Sequence, residues 1–212
     1  MNYVFYHIYC CPETINILKD QIAKIHFSSL YTAVSTIFCF LVGDPEYIQR
    51  CLKFIQTAGK KFKVVELGPN DETYERFTLL KIKDYITPED KVLYIHTKGV
   101  THNDSIQIYY WRTCMEYFLF TMHMECIKSL EDYDVAGIFY LRSEQKNINH
   151  FSGNMWWAKG SYILKLPDII EDNYNCPEFY IGLGIPKVKN FIETNLNLYY
   201  DNFEFYRYCD ST

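Results

Sequence analysis

Apolar positions recur along this chain with two different periods, and the first hundred residues alternate between them. Tyr3 to Tyr9 is a continuous apolar and aromatic run that stops at Cys11-Pro12, where proline ends strand pairing, so it reads as a buried strand. Thr14 to Phe27 carries Ile15, Leu18, Ile22 and Ile25 at spacings of three and four, the period of one helical face. Thr36 to Val42 predicts a second strand, closed by Gly43-Asp44-Pro45. Pro45 opens a helix whose Ile48, Leu52 and Ile55 keep the helical period up to Gly59. Phe62 to Leu67 predicts a third strand. Asn70 or Asp71 then caps a third helix, with Glu72 and Glu75 in its first turn, running through Leu79, Leu80 and Ile82 to Thr87-Pro88. Lys91 to His96 is the fourth strand. Strands separated by helices predict βαβ crossovers and a parallel sheet with helices on both faces.

The second half is mixed. Asp104 to Leu130 contains neither proline nor glycine and reads as one long helix capped by Asn103 or Asp104. Val135 to Leu141 and Phe151 to Lys159 are strand-like, with the polar stretch Ser143 to Asn149 as a loop between them. A helix is expected from Lys187 to Leu196, followed by an unassigned aromatic tail. The whole is read as one α/β domain with a Rossmann-like, mostly parallel mixed sheet of about six or more strands flanked by helices. The aromatic run ending at Asp210-Ser211-Thr212, with no stop signal, fits excision from a longer multidomain chain.

Composition narrows the function. With 212 residues, 49% of them hydrophobic, the chain can bury one sizeable core. A net charge of −5 lacks the basic surface that nucleic acid requires, which removes nucleic acid as a partner. Eight cysteines without a CxxC, several inside apolar runs, read as reduced buried thiols of a cytoplasmic protein and not as a zinc cluster. The run from Tyr3 to Cys11 is too short to span a membrane and lacks the features of a signal peptide, so no integral membrane segment is expected. The 20 Tyr and 15 Phe suit pockets for rings and polyols, although core packing accounts for most of them.

Motifs exclude more than they admit. There is no GxxxxGK[ST], no GxGxxG after the first strand and no GxSxG. In an open α/β sheet, ligands bind beyond the carboxyl ends of the strands, which points to His7 to Cys11 and to His96-Thr97-Lys98-Gly99-Val100-Thr101-His102. Lys98 can meet a phosphate as a point charge, Thr97 can donate to it, and Gly99 lets backbone approach closely. The plainer alternative is that His96 merely finishes the strand and Lys98 is solvated. In His150-Phe151-Ser152-Gly153-Asn154-Met155-Trp156-Trp157-Ala158, adjacent tryptophans on a strand face opposite sides. One belongs to the core. The other is available to pack on a sugar beside Asn154 and Gly153, unless the glycine only marks a bulge and both are core.

The segments KVLYIHTKG, HFSGNMWWAKGSYI and CPEFYIG, with the strand and helix order before them, together resemble GT-A glycosyltransferases over nearly the whole chain. More narrowly they are similar to the N-terminal domain of a chlorella virus glycosyltransferase implicated in capsid-protein glycans, and to bacterial and giant-virus relatives. The resemblance implies a single GT-A domain, with a nucleotide-binding half over 1–103 and a sugar and acceptor half over 104–212. It also implies transfer of a hexose or deoxyhexose from a UDP-sugar to a glycan or glycoprotein acceptor, with Mn²⁺ or Mg²⁺ as cofactor. It places the base and ribose against His7, Tyr9, Glu75, Thr78 and Lys81, and a carboxylate near the acceptor at Glu178, a base for inverting displacement, with Asp134 and Asp172 in reserve.

The chain departs from the pattern at the metal. Where GT-A enzymes carry Asp-x-Asp, it has His96-Thr97-Lys98. Either Lys98 assists or replaces the metal, or the metal sits on His96 with carboxylates from elsewhere, Asp104 among them. The literal Asp132-Tyr133-Asp134 precedes the fifth strand and reads as a helix-end turn. Trp111 and Arg112 are within reach of a diphosphate, though a Tyr109-Tyr110-Trp111 stripe more often packs. Two other readings share the fold: a nucleotide-sugar hydrolase or nucleotidyltransferase, which needs no acceptor-side aromatic face, and a non-catalytic nucleotide- or glycan-binding module.

Overall fold

Four parallel strands form one side of the sheet in this computed structural model, which describes residues 1–68, 74–102, 105–142, 149–168 and 176–201. They are β1 (Asn2–Cys10), β2 (Thr36–Gly43), β3 (Phe62–Leu67) and β4 (Lys91–His96), as the apolar runs predict. Continuous burial explains their composition, since a parallel strand covered on both faces has no solvent side to mark with polar residues. The other side is built from β5 (Val135–Gly137), β8 (Trp156–Lys159) and β9 (Val188–Asn190). The order is β3-β2-β1-β4-β8-β5-β9, and only β8 runs antiparallel to its neighbours. A separate hairpin pairs β6 (Tyr140–Arg142) with β7 (Asn149–Phe151). The protein is thus a Rossmann-like α/β fold with a seven-stranded, mostly parallel mixed sheet.

Alternate residues of β1 serve two cores. Val4, Tyr6 and Ile8 face a layer with Leu18, Ile22 and Ile25 of α1 (Thr14–Phe27), whereas Phe5 packs with Phe40, Tyr94 and Trp156 on the opposite face. α2 is the single turn Leu30–Ala33. α3 (Pro45–Ile55) begins as expected, with proline in the first turn and the Asp44 carboxylate accepting the Glu46 N–H at 2.8 Å.

Five elements differ from their predicted form. The strand expected over Val135 to Leu141 divides into β5 and β6, which join different sheets, because Phe139 between them adopts left-handed backbone with φ of 59°. The third helix shrinks to α4 (Arg76–Leu79) and a 3₁₀ turn, Ile82–Tyr85; its proposed caps and Glu72 lie outside the described residues. The long helix divides into α5 (Ile106–Glu116), a π turn over Tyr117–Thr121 and α6 (His123–Ser129), and its cap is Ser105. The strand expected over Phe151–Lys159 breaks because Gly153 and Asn154 both adopt left-handed backbone, with φ of 90° and 49°, and turn the chain. The helix expected from Lys187 is strand β9. Edge pairing overrides its helical period: β9 covers β5, and beyond it Phe191 N–H donates to the Gly137 carbonyl at 2.9 Å. α7 (Gly160–Ile163) and α8 (Cys176–Phe179) complete the described helices. No helix among the described residues is long and apolar enough to cross a membrane.

Candidate functional site

The chain leaves β1 toward β2 and β3 on one side and returns to β4 on the other, so β1 and β4 are adjacent strands whose connections diverge. Such a switch point opens a crevice at the carboxyl ends of the strands. A cleft of about 430 Å³ lies there, within the usual size of a small-ligand pocket. His7 and His96, register partners on β1 and β4, form its floor, with Tyr9 beside them. Glu75, Asn154 and Glu178 form one wall. The segment from Thr97 to His102 forms another, with Tyr74 and Tyr199 at the mouth.

Glu75 is the centre of the polar wall. One carboxylate oxygen, Oε2, accepts from the Tyr94 hydroxyl at 3.1 Å and from the Asn154 amide. Trp156 Nε1 donates to Asn154 Oδ1 at 3.0 Å, which fixes the amide with its NH₂ toward Glu75. The other oxygen, Oε1, stands 3.3 Å from His96 Nδ1. His96 Nε2 lies 2.8 Å from the Gly153 carbonyl, and a carbonyl only accepts, so Nε2 carries the hydrogen. Gly153 N–H donates to Glu178 Oε1 at 2.7 Å, and the other Glu178 oxygen has no hydrogen bond among the described residues.

Burial lowers His96 to about 4, helped by the charge of Lys98 and opposed by the Gly153 carbonyl and Glu178. Burial also lowers His7 to about 4. Both imidazoles are therefore neutral at pH 7. Burial raises the Glu75 carboxyl above its ordinary value, against the pull of His7, Asn154, Lys98 and Tyr94. Neutral His96, with its hydrogen on Nε2, turns a lone pair from Nδ1 toward the Glu75 carboxyl.

Lys98 supplies positive charge at the mouth. Its ammonium stands 4.0 Å from the centre of the Trp111 ring and 5.5 Å from that of Tyr199, with no carboxylate at salt-bridge distance among the described residues. Thr97 Oγ1 accepts the Tyr9 N–H at 3.1 Å, which leaves its own proton free to donate. Gly99 has φ of 80°, and a Cβ there would lie 2.4 Å from Ile108 Cγ2, so both backbone and packing require glycine.

The structure brings His7, Tyr9, Glu75, His96, Thr97, Lys98, Gly153, Asn154 and Glu178 to one cleft, and it separates several other expected residues from it. Trp156 and Trp157 are both fully buried, one in each core, so neither offers a face to a sugar. Trp156 reaches the cleft only through Asn154. Close approach at Gly153 is to Met115 and Trp111, since a Cβ would sit 2.7 Å from Met115 Sδ. Thr78 is buried and holds His7 Nδ1 at 2.8 Å, behind the lining. Lys81 points elsewhere and pairs with Glu66 at 3.3 Å. Asp134 is level with the start of β4, at the opposite end of the sheet, where its carboxylate accepts the Lys187 N–H at 2.9 Å. Trp111 and Arg112 support Lys98 from behind: Arg112 Nη1 donates to the Lys98 carbonyl at 3.1 Å. Asp104 and Asp172 lie outside the described residues. Among the described residues no group of three or more His, Cys, Asp or Glu is gathered to hold a metal by itself.

Sequence reasoning did not find Tyr74 and Tyr199. Tyr199 falls in the aromatic tail, where no period marks a face; Tyr74 precedes α4 with φ of 47°, a conformation that a loop tyrosine does not announce.

Residues 5–175 match the model of a family described as Domain of unknown function (DUF8361). No curated protein matches the chain. Among solved structures, HddC from Yersinia pseudotuberculosis is similar at 12% identity over 91% of each chain, with a TM-score of 0.51. The 4-diphosphocytidyl-2C-methyl-D-erythritolsynthase from Anaerococcus prevotii DSM 20548 aligns at 10% identity over 99% of this chain and 94% of that one, with a TM-score of 0.47. At these identities the likeness is one of fold.

Proposed function

Because the chain belongs to the DUF8361 family, a domain of unknown function, we propose from the cleft itself that it is an enzyme acting on a nucleotide-activated sugar, whose diphosphate is received by Lys98. The observation that supports this most directly is the position of Lys98. It is a cation without a salt-bridge partner among the described residues, seated on aromatic rings at the switch point beside a free Thr97 hydroxyl. That arrangement suits an anion held against an apolar and aromatic wall. A divalent cation such as Mn²⁺ or Mg²⁺ supplies, when bound, further neutralisation of the diphosphate, and His96 and Glu75 are the residues that would hold it.

Two chemistries fit. In glycosyl transfer from a UDP-sugar to a glycan hydroxyl, the acceptor oxygen bonds to the anomeric carbon, the bond from that carbon to the diphosphate breaks, and Glu178 takes the hydroxyl proton. The hydrogen bond from Gly153 to Glu178 Oε1 favours this reading because it aims the carboxylate and leaves one oxygen for the proton. In nucleotidyl transfer, a sugar phosphate oxygen attacks the α-phosphorus of a nucleoside triphosphate and pyrophosphate leaves. The interior positions of Trp156 and Trp157 favour this second reading, since they remove the aromatic face expected for an acceptor sugar.

Calorimetry with UDP, GDP and CMP tests the shared claim. At least one binds, and Lys98→Ala weakens that binding tenfold or more, about 1.4 kcal/mol. No binding by any of them removes the reading. Assays for released nucleoside diphosphate and for released pyrophosphate then separate the two chemistries.

A further inference from the structure

We infer that Trp111 and Tyr199 form a sugar-binding face that the Lys98 ammonium covers in the free protein and uncovers when it turns to a bound anion. The inference rests on the proposed anion-binding role of Lys98 for its trigger, and on the packing around Trp111 for the face itself.

Two side chains stand between Trp111 and the cleft. Lys98 and Tyr199 both line the cleft, and Trp111, 1% exposed, lies behind them. The Lys98 ammonium stands 4.0 Å from the centre of the Trp111 ring. Tyr199 meets the same ring edge to face, with centroids 5.1 Å apart and planes at 83°. A cation resting on a ring loses less on leaving than it gains from charge-assisted hydrogen bonds to phosphate oxygens, so an anion in the cleft draws Lys98 away.

Tyr199 stays in place when Lys98 leaves. The Asn197 carbonyl accepts from the N–H groups of Tyr200 at 3.0 Å and Asp201 at 2.8 Å, and the Asp201 carboxylate accepts the Asn197 N–H at 2.6 Å. Buried Leu198 anchors this closed turn in the core. Departure of the ammonium therefore leaves a fixed corner of two nearly perpendicular rings open to the cleft.

The indole also carries an unmet donor. Trp111 Nε1 is buried and has no hydrogen-bond partner among the described residues, a costly state that a bound acceptor relieves. That edge of the ring lies against the cleft residue Gly153, where a Cβ would come 3.1 Å from Cε2, the carbon bonded to Nε1. An aromatic face beside a single N–H donor matches a pyranose, which offers a C–H surface and hydroxyl oxygens that accept. Gly153 N–H holds Glu178, so a sugar on this face has its hydroxyls close to that carboxylate. The aromatic surface that Trp156 and Trp157 do not offer is supplied by Trp111 and Tyr199, and only after an anion is bound.

Acrylamide quenching of tryptophan fluorescence in the full chain tests the uncovering without an activity assay. The chain has three tryptophans, and Trp156 and Trp157 are fully buried in the two cores, so a newly quenchable indole is Trp111. Saturating inorganic pyrophosphate or UDP should make one of the three quenchable, and Trp111→Phe should lack that response. Lys98→Ala should make Trp111 quenchable with no anion present. By saturation-transfer NMR, at least one of the methyl glycosides of glucose, galactose, mannose and rhamnose should bind about tenfold more tightly with pyrophosphate than without it. Trp111→Leu should lose that binding. The measurements on the unaltered protein need no variant to fold. An anion that binds without making an indole quenchable would overturn the covered face and leave the nucleotide reading standing. A rise that persists in Trp111→Phe, or a rise with no glycoside bound, would overturn it as well. Uncovering by pyrophosphate with no nucleotide bound would support the face and remove the nucleotide reading, and if neither anion binds, both fall.

Discussion

Gln21 Nε2 donates to Glu116 Oε1 at 2.8 Å and also reaches the His96 carbonyl at 3.2 Å, so a carboxylate on α5 steadies the last residue of β4 through a side chain of α1. The same carboxylate accepts from Lys24 at 2.6 Å and lies 3.4 Å from Arg112 Nε, and Arg112 in turn holds the Lys98 carbonyl. Glu116 is 1% exposed, and removing it would leave the buried Arg112 guanidinium without its carboxylate, whereas half-buried Lys24 keeps Asp20 at 2.7 Å. Glu116→Ala should cost about 3–5 kcal/mol, the scale of a broken buried pair, and lower the melting temperature by roughly 10 °C. Thermal unfolding by circular dichroism checks this. A loss below about 1 kcal/mol would show that the network is slack.

Acid should destabilise the metal-free protein through its two buried imidazoles. His7 and His96 titrate near 4 in the fold and near 6.5 when unfolded. The unfolded chain therefore binds more protons between those values, so stability is full above about pH 6.5 and falls as pH drops toward 4. Urea midpoints measured in EDTA from pH 7 to pH 4.5 should decline, and His7→Gln should flatten the decline. An unchanged slope in that variant would show that His7 is not held neutral.

The parallel half was legible because buried strands are written as unbroken apolar runs and proline or glycine marks their ends: Tyr3 to Tyr9 stops at Pro12, and Thr36 to Val42 at Gly43. The short later strands were not, because long-range partners create them. Val188 to Asn190 is a strand only because β5 needs an edge, and nothing local opposes the helix that its apolar spacing suggests. The site divides in the same way. Residues following β4 could be placed from strand polarity alone, whereas the bond between Glu75 and Asn154 joins residues far apart in the chain. The paired tryptophans were correctly assigned to opposite faces, but both faces of this sheet are covered, so facing apart did not expose either one.

Gly99 sets the turn that presents Lys98. In Gly99→Ala the new Cβ meets Ile108 Cγ2 at 2.4 Å in a left-handed backbone, so the turn must shift and stability should fall by about 1–3 kcal/mol. Adding Ile108→Ala removes the clash but not the backbone strain. The double variant should therefore be less unstable than the sum of the two single variants, a non-additivity that a denaturant cycle measures. Strict additivity would mean that the contact does not limit the turn.

Trp156 and Trp157 offer the sharpest contrast, because they are equally buried and differ in what they hold. Trp156 Nε1 donates to Asn154 Oδ1 at the cleft, and Trp157 Nε1 donates to the Leu119 carbonyl at 3.1 Å on the other face. Each change to Phe keeps a ring in the core and strands one acceptor, at about 1–3 kcal/mol. Only Trp156→Phe frees the Asn154 amide to rotate and bring its oxygen toward the Glu75 carboxyl. Both variants should therefore lose similar stability in urea, but Trp156→Phe alone should weaken UDP binding in the presence of Mn²⁺. Equal losses of affinity in the two variants would show that core packing, and not the bond to Asn154, connects Trp156 to the site.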